Sequence, residues 1–167
     1  HRKKKEEAGQ KGTDVHTTLE RFIKSAIEKH DGYLVDEEVG EHAIPQIAHF
    51  MEWSRKNKVK FLTSEKRLYS KDFHIAGTLD FLCEKDGKKF LGDIKTGSGI
   101  WKEYWLQTSG YELMLREQGE MCDGHLIVNL KKDGTIQVEE NYAYDTNVKG
   151  FLGCLQLYKC LNNLPTL

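Results

Sequence analysis

Three strand-like segments in the middle of the chain constrain its fold more than any other feature. They cover Phe61–Tyr69, Phe73–Cys83 and Lys89–Lys95, and the dipeptide Asp86-Gly87 lies between the last two. An Asp-Gly pair between two strand-like runs is a strong signal for a tight β-hairpin turn. The sequence therefore predicts adjacent antiparallel strands here, and a β-sheet at the centre of the fold.

Apolar residues at helical spacing predict helices on both sides of these strands. Two helices are expected before the strands and two after them, over Thr13–Lys29, Glu41–Lys56 (broken or started near Pro45), Lys102–Gln118 and Val148–Leu161. Two more strands, Leu126–Leu130 and Thr135–Tyr142, are expected before the last helix. The order ααβββαββα is typical of an α/β fold with a mixed β-sheet flanked by helices.

The last helix carries apolar residues on several faces, so we expect it to be well buried or to lie at an interface. Asp145 is expected to cap its N-terminus. No Gly/Ser linker and no repeat divides the 167 residues. We therefore expect a single domain over residues 1–167, with a charged lead at residues 1–11. The chain begins at His1 rather than Met, so an N-terminal segment can be missing.

Composition favours a globular intracellular protein. No apolar run is long enough to span a membrane, and the four cysteines lack any Cys-x-x-Cys pair, which fits reduced thiols. The net charge of −1 argues mildly against a nucleic-acid binder. Basic runs lie at residues 2–5 and 55–60. Contact with a phosphate backbone and an ordinary solvated surface are two equal alternatives for them.

Two carboxylates and an amine on neighbouring strands indicate metal-dependent phosphodiester hydrolysis. Asp80 precedes the hairpin, and strand alternation places Asp93 and Lys95 on one face of the next strand. Carboxylates can hold Mg²⁺ or Mn²⁺, which activates water and polarises a phosphate. A lysine supplies a mobile positive charge beside the reacting group. The alternative is a set of exposed charges that forms a cross-strand salt bridge.

Four motifs together resemble the PD-(D/E)XK nuclease superfamily, and in particular its RecB-like exonuclease branch. They run from Gly12 to His16, Gly77 to Asp80, Asp93 to Lys95 and Gln107 to Tyr111, in the order that the branch shows. Leu79 replaces the proline of the superfamily name, which is a common departure in this branch. The resemblance implies a restriction-endonuclease-like fold and a DNA exonuclease that leaves 5′-phosphate ends, in recombination, repair or replication. It also implies a cytoplasmic protein of bacterial or phage type.

The same resemblance implies a set of metal ligands. His16, Asp80, Asp93 and the main-chain carbonyl of Ile94 would hold one or two ions of Mg²⁺ or Mn²⁺, with Lys95 beside the attacking water. The imidazole suits Mn²⁺ better than Mg²⁺. Glu65 stands where relatives often carry an additional acid that helps a second cation. An ordinary exposed strand glutamate is the equal alternative at that position.

The helix after the lysine strand supplies further candidates. Gln107 and Tyr111 share one helix face, where Gln107 could orient the lysine or a phosphate and Tyr111 could contact the nucleic-acid backbone. The alternative for both is ordinary amphipathic helix surface. The aromatic residues Trp101, Tyr104 and Trp105 could stack on unpaired bases, although we expect at least one of them to pack against the sheet.

No iron–sulfur cluster is expected, although some relatives hold one. Cys154 and Cys160 leave the late cysteine trio of those relatives incomplete, and no cysteine precedes His16. The expected partner is DNA, as a single strand or a duplex end, with a recombination or replication protein and oligomerisation as further options. Three alternatives stay open: a structure-selective or nicking endonuclease, an inactive DNA-binding scaffold, and a metal enzyme that acts on a small phosphoester.

Overall fold

The computed structural model describes the backbone of residues 2–29 and 45–166, with side chains from Val15 onward. Four helices and five strands follow one another in the order that the sequence predicts. They are α1 (Arg2–Glu28), α2 (Pro45–Lys56), β1 (Lys60–Ser70), β2 (Ile75–Lys85), β3 (Lys88–Lys95), α3 (Lys102–Glu117), β4 (Gly124–Leu130), β5 (Ile136–Asn141) and α4 (Tyr144–Leu161). The predicted α/β fold with a mixed sheet and flanking helices is confirmed.

The five strands form one sheet in the spatial order β1-β2-β3-β4-β5. β1, β2 and β3 pair antiparallel, β3 and β4 pair parallel, and β4 and β5 pair antiparallel. The β2–β3 hairpin turns at Asp86 and Gly87, whose φ angles are 51° and 73°. Positive φ at both central residues is the geometry of a type I′ turn, for which Asp-Gly is well suited. The parallel β3–β4 pair requires a crossover connection, and α3 provides it.

The first helix begins earlier than the sequence predicts. The structure starts α1 at Arg2, so the predicted start at Thr13 is wrong and residues 2–11 of the charged lead belong to the helix. Arg, Lys, Glu, Gln and Ala dominate this stretch and all favour helices, while Gly9 and Gly12 each cost only about 1 kcal/mol. The second helix begins at Pro45, a residue well suited to a first helical position. Its predicted start at Glu41 lies outside the described residues.

Two apolar layers cover the two faces of the sheet. On one face α1 and α2 contribute a layer around Leu19 and Phe50, and on the other face Met114 and Leu115 of α3 pack on Leu79 and Leu91. All seven residues of β4 are buried because helices cover this part of the sheet on both sides. Within the described residues, no helix combines the length and the apolar character needed to cross a bilayer.

The last helix does not lie in the core, so the expectation that it is well buried is wrong. Of its side chains only that of Lys159 is buried, while Leu157, Tyr158 and Leu161 are exposed. Packing on α3 uses one face alone. The proposed interface role of the other faces stays a prediction.

The predicted N-cap of α4 is also wrong, because Asp145 lies within the first turn and Ala143 precedes the helix. Ala143 makes no side-chain capping hydrogen bond. Asn141 instead fixes the turn before the helix, because its Oδ1 accepts hydrogen bonds from the Ala143 N–H and from Asn147 Nδ2, both at 2.9 Å. Asp145 still stabilises the helix, since an acidic side chain in the first turn interacts favourably with the helix dipole.

Two helical glycines allow a matched test of the α3–α4 contact. A Cβ atom at Gly110 would lie 2.5 Å from the Phe151 ring, whereas a Cβ at Gly153 meets nothing within 4 Å. We expect Gly153→Ala to stabilise the protein by about 0.5–1 kcal/mol, because alanine favours the helix. Gly110→Ala gains the same helix propensity but is expected to be about 1–3 kcal/mol less stable than the native chain, because it overpacks the contact. Urea denaturation measures both changes, and equal stabilisation of the two variants would contradict the described packing.

Candidate metal centre

The structure brings six of the predicted site residues to one open pocket of about 420 Å³, the four charged or imidazole groups together with Ile94 and Gln107. His16 comes from α1, Asp80 from β2, and Asp93 and Lys95 from β3. The pocket lies between α1 on one side of the sheet and α3 on the other. Its remaining lining residues are Thr96, Gly97 and Tyr104.

A local irregularity of the sheet aims Asp80 into this pocket. Along β2 the alternation is interrupted, since Leu79 packs in the layer under α3 whereas Phe81 packs in the layer under α1 and α2. The regular β2–β3 ladder ends at the pair Phe81–Gly92. Beyond that pair the Asp80 carboxylate bonds β3 directly, because its Oδ2 accepts the Ile94 N–H at 2.7 Å. Irregularities of this kind re-aim side chains at functional sites.

The histidine of α1 reaches the carboxylate of β2. Val15 and Leu19 anchor this part of α1 in the core, and His16 Nδ1 lies 3.9 Å from Asp80 Oδ2. Burial lowers the pKa of His16, Asp93 opposes that effect, and Lys95 reinforces it, so the net pKa is lowered. A lowered pKa keeps the ring neutral near pH 7, and a neutral imidazole is the form that binds metals.

The two carboxylates carry more negative charge than the pocket balances. Burial raises the pKa of Asp80 to about 7, and the charge of Asp93 adds to the effect. Burial also raises the pKa of Asp93, although the Lys95 ammonium partly offsets it. Lys95 Nζ lies 2.7 Å from Asp93 Oδ2 and forms an ion pair with it. One ammonium does not balance two carboxylates, and a cation would relieve the remaining repulsion between them.

These donors fit a hydrated hard cation. Mg²⁺ usually binds one or two protein carboxylates and keeps several waters, and Mn²⁺ also accepts imidazole. Within the part of the chain that the structure describes, no group of three or more His, Cys, Asp or Glu side chains is placed to hold a metal ion. Asp80 and Asp93 would therefore supply only part of the ligand set. Water molecules or a phosphate would complete the coordination of the cation.

The lysine is oriented by a chain of side chains on α3. Lys95 Nζ donates to Gln107 Oε1 at 3.0 Å, and Gln107 Nε2 donates to the Tyr111 hydroxyl at 2.8 Å. The Tyr104 ring centre lies 4.9 Å from Nζ. Two roles were considered for Gln107, to orient the lysine or to orient a phosphate. Its hydrogen bond with Lys95 fits the first role. Tyr111 lies behind Gln107 and does not line the pocket.

Close packing explains why the second motif has a glycine at position 77. A Cβ atom at Gly77 would lie 2.7 Å from the Tyr111 ring. Tyr111 can therefore approach β2 closely only because residue 77 has no side chain. Gly77 thus leaves room for Tyr111, which bonds Gln107, and Gln107 in turn orients Lys95.

Glu65 lies beside the pocket rather than in its lining. The pairs Ser64–Phe81 and Lys66–Leu79 flank it, which places it opposite Asp80, and its own φ of 51° is left-handed. Burial raises the pKa of Glu65, with a further contribution from Glu20. The charge of Glu65 in turn contributes to the raised pKa of Asp80. A role with a second cation stays a prediction.

Sequence reasoning did not identify Asn129, which holds the loop after the lysine. This fully buried residue of β4 pairs with Lys95 in the parallel ladder. Its Oδ1 accepts the Gly97 N–H at 2.9 Å, and its Nδ2 is buried without a partner in the described part of the chain. A single asparagine inside an apolar strand is the signal that could have revealed it.

The aromatic candidates divide into three environments. Trp105 is buried, Tyr104 is half-buried in the pocket lining, and Trp101 is 52% exposed. The expectation that at least one packs into the protein is met by Trp105.

Comparisons with known proteins add little to this geometry. No protein-family model matches the chain, and no curated protein matches it. Among solved structures the chain is similar to one titled "Crystal structure of SSO0001", with 15% identity and a TM-score of 0.39. The match covers 62% of this chain and 53% of that one, so the chain spans about half the length of this neighbour. Similarity at this level carries no conclusion about the site.

Proposed function

We propose that this chain is a divalent-metal-dependent nuclease that hydrolyses phosphodiester bonds in DNA. The observation that supports the proposal most is the pocket itself, in which two buried carboxylates, an imidazole and an oriented lysine meet. Burial raises the pKa of both Asp80 and Asp93, so the charged form of each carboxyl is disfavoured in the pocket. A bound cation would favour the charged forms, and carboxyls with raised pKa values in a cleft are typical of functional sites.

Five residues of the pocket have roles in this reaction. Asp80, Asp93 and His16 would hold Mg²⁺ or Mn²⁺, which when bound supplies Lewis acidity and an acidified water. The Lys95 ammonium, which Gln107 orients, neutralises the charge that develops on the phosphate oxygens during attack. Because the lysine is already held in place, little reorganisation is needed at the moment of reaction.

The family resemblance of the four motifs adds the finer parts of the proposal. The chain is proposed to act as an exonuclease that leaves 5′-phosphate ends, inside the cell, in recombination, repair or replication and together with a partner protein of such a process. A structure-selective endonuclease would use the same residues, so the two activities differ in the DNA that they accept.

Digestion of end-labelled linear DNA and of covalently closed circular DNA tests the proposal. We expect linear DNA to be degraded with Mg²⁺ or Mn²⁺, no activity with EDTA, and intact circles under all conditions. Cleavage of circles would replace the exonuclease by an endonuclease. Tight DNA binding without cleavage under either cation would favour the inactive scaffold and contradict the proposed activity.

A further inference from the structure

An exposed tryptophan stands at the rim of the pocket. The Trp101 side chain is 52% exposed, whereas large aromatic side chains are usually highly buried. Its Cζ2 lies 3.9 Å from the position of a Cβ at Gly99. Gly99 belongs to the loop that begins with Thr96 and Gly97, and these two residues line the pocket. The indole therefore packs on the outer part of the loop whose inner part forms the pocket wall.

Trp101 and Tyr104 belong to the first turn of α3. Trp101 is the N-cap residue and Tyr104 is the third residue of the helix, and the Tyr104 N–H donates to the Trp101 carbonyl oxygen at 3.1 Å. Tyr104 lines the pocket and its ring lies 4.9 Å from Lys95 Nζ. The first turn of α3 thus carries one aromatic residue in the pocket lining, Tyr104, and one exposed aromatic residue beside the adjoining loop, Trp101.

The stability of α3 does not explain a tryptophan at this position. N-cap positions favour Ser, Thr, Asp or Asn, whose side-chain oxygen accepts a backbone N–H. Trp101 makes no side-chain capping hydrogen bond, since an indole has no oxygen and can only donate. A residue that is locally unfavourable and also exposed is typical of a functional surface.

We propose that Trp101 is a stacking site for an unpaired base of the DNA strand that enters the pocket. This inference rests on the proposed nuclease function and adds its substrate class, which is single-stranded DNA or a frayed duplex end. An indole can stack on any base, because every base has a flat π-face. In a fully paired duplex the neighbouring bases already cover those faces, so the site selects strands whose end is unpaired.

Binding of single-stranded DNA by a set of variants tests the proposal. Anisotropy of a labelled oligo-dT strand is measured in EDTA, where metal-dependent cleavage stops. Trp101→Ala is expected to weaken binding roughly five- to 150-fold, the range that loss of one stacked base implies. Trp101→Phe is expected to retain most of the affinity because it keeps an aromatic face. Tyr158→Ala removes a similarly exposed aromatic residue from α4 and is expected to bind like the native chain.

A further variant, Trp101→Ser, separates stacking from a structural role. Serine is a good N-cap, so this variant is expected to keep or raise the Tm while it weakens single-strand binding as much as alanine does. Weak DNA binding that follows a lowered Tm would mean that Trp101 acts through the fold, and would overturn the proposal.

Abasic strands locate the stacked base. The native chain is expected to bind a strand that lacks the base at one position less tightly than it binds the intact strand. Trp101→Ala is expected to bind the two strands equally tightly. The proposal is overturned if abasic positions weaken both proteins equally, or if Trp101→Ala weakens binding to blunt duplex as much as to single strands. In either case, metal-dependent cleavage by the native chain would leave the nuclease function standing. An absence of cleavage under every cation would overturn both.

Discussion

Replacement of Lys95 by alanine is expected to slow DNA cleavage by a factor of roughly 10² to 10³ without loss of metal binding. The reason is the division of roles in the pocket: the carboxylates of Asp80 and Asp93 would hold the cation, whereas the ammonium faces the charge that develops on the phosphate. Removal of Lys95 also leaves the buried Asp93 Oδ2 without its ion-pair contact. The variant should therefore bind Mn²⁺ at least as tightly as the native chain, which calorimetry measures.

The chain offers a matched control for this variant. Lys88 belongs to a second Asp-x-Lys triplet, residues 86–88, at the exposed tip of the β2–β3 hairpin. Lys88→Ala is expected to leave cleavage unchanged, while Asp93→Asn is expected to lose both cleavage and Mn²⁺ binding. If Lys95→Ala retained full cleavage, or if Lys88→Ala lost it, the assignment of Lys95 to the reaction would be contradicted.

The β2–β3 hairpin and the face shared by Asp93 and Lys95 could be predicted because they depend on short-range signals. The Asp86-Gly87 turn fixes the hairpin, and period-two alternation then places residues 93 and 95 together. The position of Asp80 is different. Simple alternation would place its side chain on one face of a regular β2. In the structure the alternation of β2 is interrupted there, and the Asp80 carboxylate accepts the Ile94 N–H. A local irregularity of this kind depends on both strands and has no signature in either one alone.

The supporting residues of the site were harder to predict than its charged groups. Asn129 contributes through the Gly97 backbone, a contact between segments that are distant in sequence. The surface position of α4 was missed for a related reason: its apolar residues indicate a buried helix, but whether another element covers them depends on the packing of the whole chain. Periodicity reports which faces are apolar, and it does not report what lies against them.

A buried ionic network beneath the site is expected to have the largest effect on stability. Glu112 of α3 contacts His125 of β4 through Oε2 and Nε2 at 2.6 Å, and Thr108 lies 2.9 Å from the other ring nitrogen, Nδ1. Arg116 donates to Glu112 Oε1 at 2.8 Å. Glu112 and His125 are each only 1% exposed. The network ties α3, which carries Gln107, to the strand that carries Asn129.

Glu112→Gln is expected to lower stability at pH 7 by about 3–5 kcal/mol, a fall in Tm of roughly 6–20 °C. Glutamine keeps the shape but presents an N–H group to one of the two donors, His125 or Arg116, which then loses its acceptor. Glu103→Gln, an exposed position on the same helix, is the control and is expected to cost less than about 1 kcal/mol. Thermal unfolding of the variants measures both effects.

The pH dependence of this difference gives a second measurement. Burial alone would raise the pKa of Glu112, but the hydrogen bonds from His125 and Arg116 outweigh it, so the pKa is lowered from its ordinary value of 4.5. A lowered folded-state pKa stabilises the protein above the unfolded value, and this contribution is lost as the pH falls through the folded value. The Tm difference between the native chain and Glu112→Gln should therefore be full at pH 7 and shrink as the pH falls below about 4.5. A difference that stayed constant down to pH 3 would show that Glu112 stabilises the fold through its shape and not through its charge.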